Sequence, residues 1–173
     1  ALLHRLTERY IDRYVEQELH NFQNRNARFR YLFRRLRNTA FAVIDQIAEE
    51  LRHSDFVPMA FELSFGGKDG TLPAVTVSLP DGDLRVGGKV DRVDGWIQDG
   101  RLYLRVVDYK SGRKKFDLAN VRMGLDIQML LYLFALQKEG KQYFEREIEP
   151  AGVLYLPARD EIISMERQVT PEA

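Results

Sequence analysis

A hairpin signal between residues 84 and 110 constrains this chain more than any other feature. Two strand-like runs, Leu84 to Asp94 and Leu102 to Lys110, flank the turn Gln98-Asp99-Gly100. The second run is rich in β-branched and aromatic residues, and Asp-Gly supplies the positive φ that a tight hairpin turn requires. Side chains alternate along a strand, so Asp108 and Lys110 share one face while Tyr109 takes the other. Cross-strand pairing then sets the Asp91-to-Asp94 end of the first run opposite this carboxylate and this ammonium. Two carboxylates and a lysine gathered there suit a hard divalent cation with a charged helper beside it. Spacing alone leaves Asp91 and Asp94 both open as the first carboxylate. Val90 and Val93 break simple alternation and point to a bend or bulge.

The rest of the chain reads as support for that hairpin. Leu2, Leu6, Tyr10, Tyr14 and Leu19 predict a helix over residues 1–20, and the polar stretch His20 to Asn26 predicts a loop. A long helix follows from about Ala27 to His53, on a stripe of Phe29, Phe33, Leu36, Ala40, Ile44, Ile47 and Leu51. Its first half is basic, with Arg28, Arg30, Arg34, Arg35 and Arg37. Those arginines suit a solvated face, a docking face for an acidic partner or a phosphate track. Met59 to Phe65 alternates, which sets Glu62 and Ser64 on one face and Phe61, Leu63 and Phe65 on the other. Gly66 to Gly70 reads as a turn, not a nucleotide site, because it lacks the Gly-Lys-Ser/Thr ending of a phosphate-binding loop. Ala74 to Leu79 is a further strand. After Lys110 comes a basic loop with Arg113, Lys114 and Lys115. A helix from Met123 or Gly124 to about Lys138 places Gln128 and Tyr132 on one face. Residues 141–149 read as polar, and the runs 151–156 and 161–165 predict a last strand pair. The order predicts an α/β domain with a mixed central sheet flanked by helices and preceded by a helical segment. It reads as a single domain over 1–173, helical over 1–56, with the sheet and the chemistry over 57–168.

Composition bears on the function class in two places. There is no cysteine, which excludes a disulfide scaffold, a cysteine nucleophile and a thiolate metal site within these residues and fits an intracellular, cytoplasmic protein. Lys and Arg number 26 and Asp and Glu 26, so bulk charge carries no sign of nucleic acid and the local arginine runs must do so. No apolar run reaches the ~18 residues of a membrane span, and no membrane partner is expected. The chain opens in helix-like sequence without an initiator Met, which reads as a domain of a longer protein.

The hairpin wording, Gly88-Lys-Val-Asp-Arg-Val-Asp94 followed by Val107-Asp-Tyr-Lys-Ser-Gly112, resembles the PD-(D/E)XK nuclease superfamily in its RecB-type branch. Gln128-Met-Leu-Leu-Tyr132 resembles the Gln-x-x-x-Tyr element of that branch, and Leu2-Leu3-His4-Arg5-Leu6 its short helical His motif. The likeness covers roughly residues 1–165. Within the branch it is nearest to the nuclease domains of bacterial ATP-dependent helicase–nucleases of the AddB type.

The resemblance implies a restriction-endonuclease-like core and DNA hydrolysis with Mg²⁺, Mn²⁺ being a substitute. It selects Asp91 over Asp94 and makes Asp91, Asp108 and Lys110 the catalytic set. It adds His4 and the Tyr109 carbonyl as further metal ligands, and Glu62 near the metal. Gln128 and Tyr132 would bind substrate phosphate or brace Lys110. Arg113, Lys114, Lys115, Arg34, Arg35 and Arg37 would hold the DNA backbone. Lys110 would orient or deprotonate the attacking water, or offset developing charge. The implied role is exonuclease-type processing of DNA double-strand ends with a helicase subunit or helicase domain, for recombination and repair. The same group often carries an iron–sulfur cluster on flanking cysteines, which is impossible within these residues. The alternatives are a stand-alone phage or defence nuclease, or a DNA-binding scaffold that kept the fold and lost the chemistry. The residues taken alone also fit a solvated hairpin end with a surface ion pair.

Overall fold

The computed structural model describes residues 2–19, 25–66, 70–110, 112, 117–125 and 127–158. The basic loop residues Arg113, Lys114 and Lys115, and the expected strand over 161–165, lie outside them. The described chain forms two compact units, one containing residues up to Ile44 and the other Asp45–Ala158.

The first unit is helical. Helix α1 spans Leu2–Gln17, and α2 spans Ala27–Arg52 and runs on into the second unit. Neither helix has a fully buried residue. Leu36, placed in the covered stripe by its spacing, is 65% exposed. The half-covered row on that turn passes instead through Phe33, Arg37 and Phe41. Arg37 takes a covered position because it pairs with Glu8 of α1 and lies over the Phe41 ring.

The second unit is built on a four-stranded mixed sheet. Its strands, in spatial order, are β1 (Val57–Phe65), β4 (Gly88–Gln98), β5 (Arg101–Lys110) and β6 (Ile148–Pro157). A separate pair holds β2 (Val75–Leu79) and β3 (Gly82–Val86). The run from Leu84 to Asp94 is therefore two strands, divided at Gly87. A side chain there would meet the Phe65 carbonyl at 3.1 Å. The hairpin forms as its turn chemistry requires. Gln98 pairs with Arg101 across Asp99 and Gly100, whose φ values are 50° and 77°.

Strand β6 pairs with β5 in parallel, and a parallel neighbour needs a crossover. Helices α3 (Leu118–Arg122), α4 (Gln128–Glu139) and α5 (Lys141–Phe144) supply it. The helix expected from Met123 or Gly124 begins instead at Gln128, and a separate short helix, α3, precedes it and ends at Gly124, φ 77°. Asp117 starts α3, its Oδ1 accepting the Ala119 N–H at 2.8 Å. The polar stretch 141–149 holds α5 and the start of β6. Helix α4 buries Met129, Tyr132, Leu133 and Leu136, a helical spacing, against Leu102, Leu104 and Val106 of β5. No helix among the described residues is long and apolar enough to cross a membrane.

The β1–β4 pair explains the broken alternation at Val90 and Val93. Ala60 pairs with Val93 and Leu63 with Val90, and all four belong to the core. Partners three residues apart on each strand cannot share a face under strict alternation. Facing therefore changes within this pair, where Glu62 has φ 52°. Phe61, expected on one face with Leu63 and Phe65, is 63% exposed for the same reason. An extra residue at Met59 also shifts the β1–β4 register between Pro58 and Ala60.

Candidate metal centre and active site

Pairing of β4 with β5 runs from Gln98–Arg101 to Arg92–Val107 and stops. Strand β4 continues beside β1 as far as Gly88, while β5 continues beside β6 as far as Lys110. The sheet thus parts at the positions carrying Asp91 and Asp108. Into that gap Asp91 turns its carboxylate, and Oδ2 accepts the Tyr109 N–H at 3.0 Å. A side chain so replaces the backbone acceptor that a continued ladder would supply.

Next to Tyr109, the Asp108 Oδ2 atom is buried and paired with Lys110 Nζ at 2.6 Å. The structure therefore brings together Asp91, Asp108, Tyr109 and Lys110 of the expected set. A buried carboxylate oxygen whose charge is met only by a lysine ammonium, near a second carboxylate, is a hard oxygen site. It fits Mg²⁺, which is held by one or two carboxylates and keeps water or phosphate in its remaining positions. No cluster of three or more His, Cys, Asp or Glu able to hold a metal occurs among the described residues. Protein carboxylates would therefore supply only part of the coordination.

Asp94 has a different place. It is 0% exposed and paired with Arg92, Nε to Oδ1 at 2.8 Å and Nη2 to Oδ2 at 2.9 Å. Arg105 adds Nε to Oδ2 at 3.0 Å, and Glu50 at the end of α2 pairs with both arginines. Arg92 Nη1 also donates to Tyr109 Oη at 3.0 Å, and its guanidinium lies 5.8 Å from the centre of that ring. Burial pushes the Tyr109 phenol up, more than the Arg92 charge and hydrogen bond pull it down. Asp94 is committed to two arginines and leaves Asp91 as the carboxylate at the gap.

Gln128 and Tyr132 meet, with Gln128 Nε2 donating to Tyr132 Oη at 2.6 Å. Tyr132 stands edge-on to Phe65 with ring centres 5.0 Å apart, and its hydroxyl lies over Gly88. A side-chain carbon at Gly88 would come 2.5 Å from that oxygen, so the Tyr132 ring end fills the space that glycine leaves at position 88. Glu62 is exposed and paired with Lys89. In the helical unit, His4 stacks at 5.0 Å on Phe41 and lines a 390 Å³ hollow with Arg5, Glu8, Arg37 and Phe41. Arg34 and Arg35 are exposed, while Arg37 is taken by Glu8. The Arg92–Tyr109 hydrogen bond is a functional contact that the sequence reading did not include. Arg92 faces Val107 in register, and Tyr109 lies two residues further along on the same face of the sheet, a diagonal neighbour within reach of a long side chain.

The profile of the PD-(D/E)XK nuclease superfamily matches residues 2–173. The chain is also similar to curated proteins, each named as the B-type component of an ATP-dependent helicase/deoxyribonuclease. In Clostridium tetani (strain Massachusetts / E88) the identity is 31% over 172 residues, covering 96% of this chain and 15% of the relative. In Symbiobacterium thermophilum it is 41% over 145 residues, covering 83% of this chain and 12% of the relative. A third, of the same name from Clostridium acetobutylicum, is 35% identical over 172 residues, 96% of this chain and 15% of its own length. The chain thus spans only 12% to 15% of these curated relatives.

Proposed function

The chain belongs to the PD-(D/E)XK nuclease superfamily, and on that premise we propose that it hydrolyses DNA phosphodiester bonds using a divalent cation held by Asp91 and Asp108. The observation that carries the proposal is the parted sheet, with Asp91 on the Tyr109 amide at one side of the gap and the buried Asp108–Lys110 pair at the other. DNA is the proposed substrate because the relatives are named deoxyribonucleases. Their names also include a helicase. This chain has no phosphate-binding Gly-Lys-Ser/Thr loop, so we assign it the nuclease part and the helicase as its partner.

A phosphodiester is an anion, and attack by water adds charge to its oxygens and to the departing alkoxide. Bound Mg²⁺, or Mn²⁺ in its place, supplies Lewis acidity toward the phosphate and lowers the pKa of water. Asp91 and Asp108 hold and orient that ion. Asp91 is fixed by the Tyr109 amide, and the Tyr109 carbonyl adds a neutral oxygen to the same set. Lys110 has three donors and no acceptor, so it offsets charge on the scissile phosphate and points water toward phosphorus. It stands 2.6 Å from Asp108 and need move little to do so. Tyr132 and Gln128 act as one hydrogen-bonded pair that binds phosphate or braces Lys110. Glu62 near the metal, and Arg34, Arg35, Arg113, Lys114 and Lys115 as backbone contacts, complete the proposal. In its cellular setting the domain trims DNA ends opened by the helicase, in the cytoplasm.

An assay on linear and circular DNA with Mg²⁺ or EDTA tests this. Loss of linear DNA with Mg²⁺, none with EDTA and none with Asp108→Ala is expected. Cleavage that persists in Asp108→Ala would remove the proposed site.

A further inference from the structure

Beyond Arg92–Val107, the strand carrying Asp91 and the strand carrying Asp108 and Lys110 are no longer joined by backbone pairing. Among the described contacts, two bridge the gap, and both land on Tyr109. One is the Asp91 carboxylate on the Tyr109 amide, at 3.0 Å. A cation drawing on that carboxylate weakens its hold on the amide. The other comes from the opposite sheet face, where Arg92 holds the Tyr109 hydroxyl at 3.0 Å. Arg92 is itself immobilised, being 1% exposed and bound through Nε and Nη2 to Asp94, with Glu50 3.4 Å from Nη2. Arg92 follows Asp91 in the chain, and Tyr109 stands between Asp108 and Lys110. One contact therefore ties together the backbone on both sides of the proposed cation site.

We propose that Arg92 and the Tyr109 side chain are positioning residues, a clamp on the blind side of the sheet that sets the spacing of Asp91 and Asp108 before metal arrives. This rests on the nuclease reading above. Neither side chain touches substrate or cation. Their effect is to hold the carboxylates at the separation that a hard ion needs, so that metal binding does not have to close the gap.

Tyr109→Phe removes one hydroxyl and leaves the Arg92–Asp94 pair whole. In the full chain without metal, amide hydrogen exchange at Tyr109 should be protected in the wild type and should speed up in Tyr109→Phe. Amides of the intact ladder, such as Val93 and Leu104, should keep their rates. Mn²⁺ affinity by calorimetry should fall by roughly tenfold or more. The Mn²⁺ concentration giving half-maximal DNA cleavage should rise by the same factor. Unchanged Mn²⁺ affinity and unchanged Tyr109 exchange in Tyr109→Phe overturn the clamp. Uniform acceleration across Val93, Leu104 and Tyr109 also overturns it, since that marks a general brace for the fold. Should Tyr109→Phe not fold, the metal-free wild type decides: a Tyr109 amide exchanging as in an open peptide is incompatible with a preset gap. Asp108→Ala separates the two claims. If it binds Mn²⁺ as the wild type does, the nuclease reading fails whatever the clamp does. If it loses Mn²⁺ while Tyr109→Phe does not, the clamp alone fails.

Discussion

Lys110 stands close enough to Asp108 to compete with a cation for the same oxygen. An ammonium cannot ligate a metal, so Lys110→Ala should leave Mn²⁺ binding intact or tighten it. Cleavage should nonetheless fall by about 10²–10⁴-fold, the range for loss of a positioned proton or charge donor. Calorimetry beside a cleavage assay checks this, and joint loss of binding and activity would make Lys110 structural. Tyr109 gives a second residue-scale expectation. Its folded-state pKa is raised, chiefly by burial, so its contribution to stability is complete below the unfolded value near 10 and is lost as pH climbs past it. The melting temperature of the wild type should therefore decline more steeply above pH 10 than that of Tyr109→Phe. Curves that run parallel would contradict the buried phenol. At this scale the sequence showed Asp108, Lys110 and the opposite face of Tyr109, because strand alternation is local. It left Asp91 and Asp94 open. The distinction depends on Arg105 and on Glu50, which lies 42 residues from Arg92 and has no local signature.

At the scale of elements, β4 carries two different burdens. One is the buried pairing of Arg92 and Asp94 with Arg105 and Glu50, which joins the end of α2 to the sheet. Asp94→Ala strands two guanidinium charges in a covered setting and should cost about 3–5 kcal/mol, the usual penalty for breaking a buried pair from one side. Denaturant unfolding measures it, and a change below about 1 kcal/mol would mean that water reaches those charges. The other burden is the change of facing beside Glu62. Adjacent glycines at 87 and 88 were visible, but their consequences were not, since both follow from what approaches them: the Phe65 carbonyl and the Tyr132 hydroxyl. The hairpin turn was legible because Asp99 and Gly100 need no distant partner to explain them. Leu36 was misplaced because helical spacing names a stripe but not its edge, and the Arg37–Glu8 pair shifts that edge.

For the molecule as a whole, the α/β class, the mixed sheet and the family were legible, because helix periods, strand alternation and the Asp, Asp-Tyr-Lys and Gln-x-x-x-Tyr wording agree. The strand order was not, since β6 joins β5 in parallel only through a crossover whose helices are short and divided. The proposed DNA contacts belong to this scale too. Arg34 and Arg35 are exposed on α2. Replacing both with Ala should lower the slope of log K against log salt by up to ~0.9 per lost phosphate contact on duplex DNA, with no sequence preference. An unchanged slope together with lost helicase association would make them a protein interface. The claim on which the rest depends is that Asp91 and Asp108 jointly hold one hard cation, and anomalous scattering from Mn²⁺-soaked crystals tests it most directly. The account predicts a peak at the parted end of β4 and β5, about 2.0–2.6 Å from a carboxylate oxygen of each residue. An empty gap with Mn²⁺ bound elsewhere, at His4 or at Glu50, would contradict it.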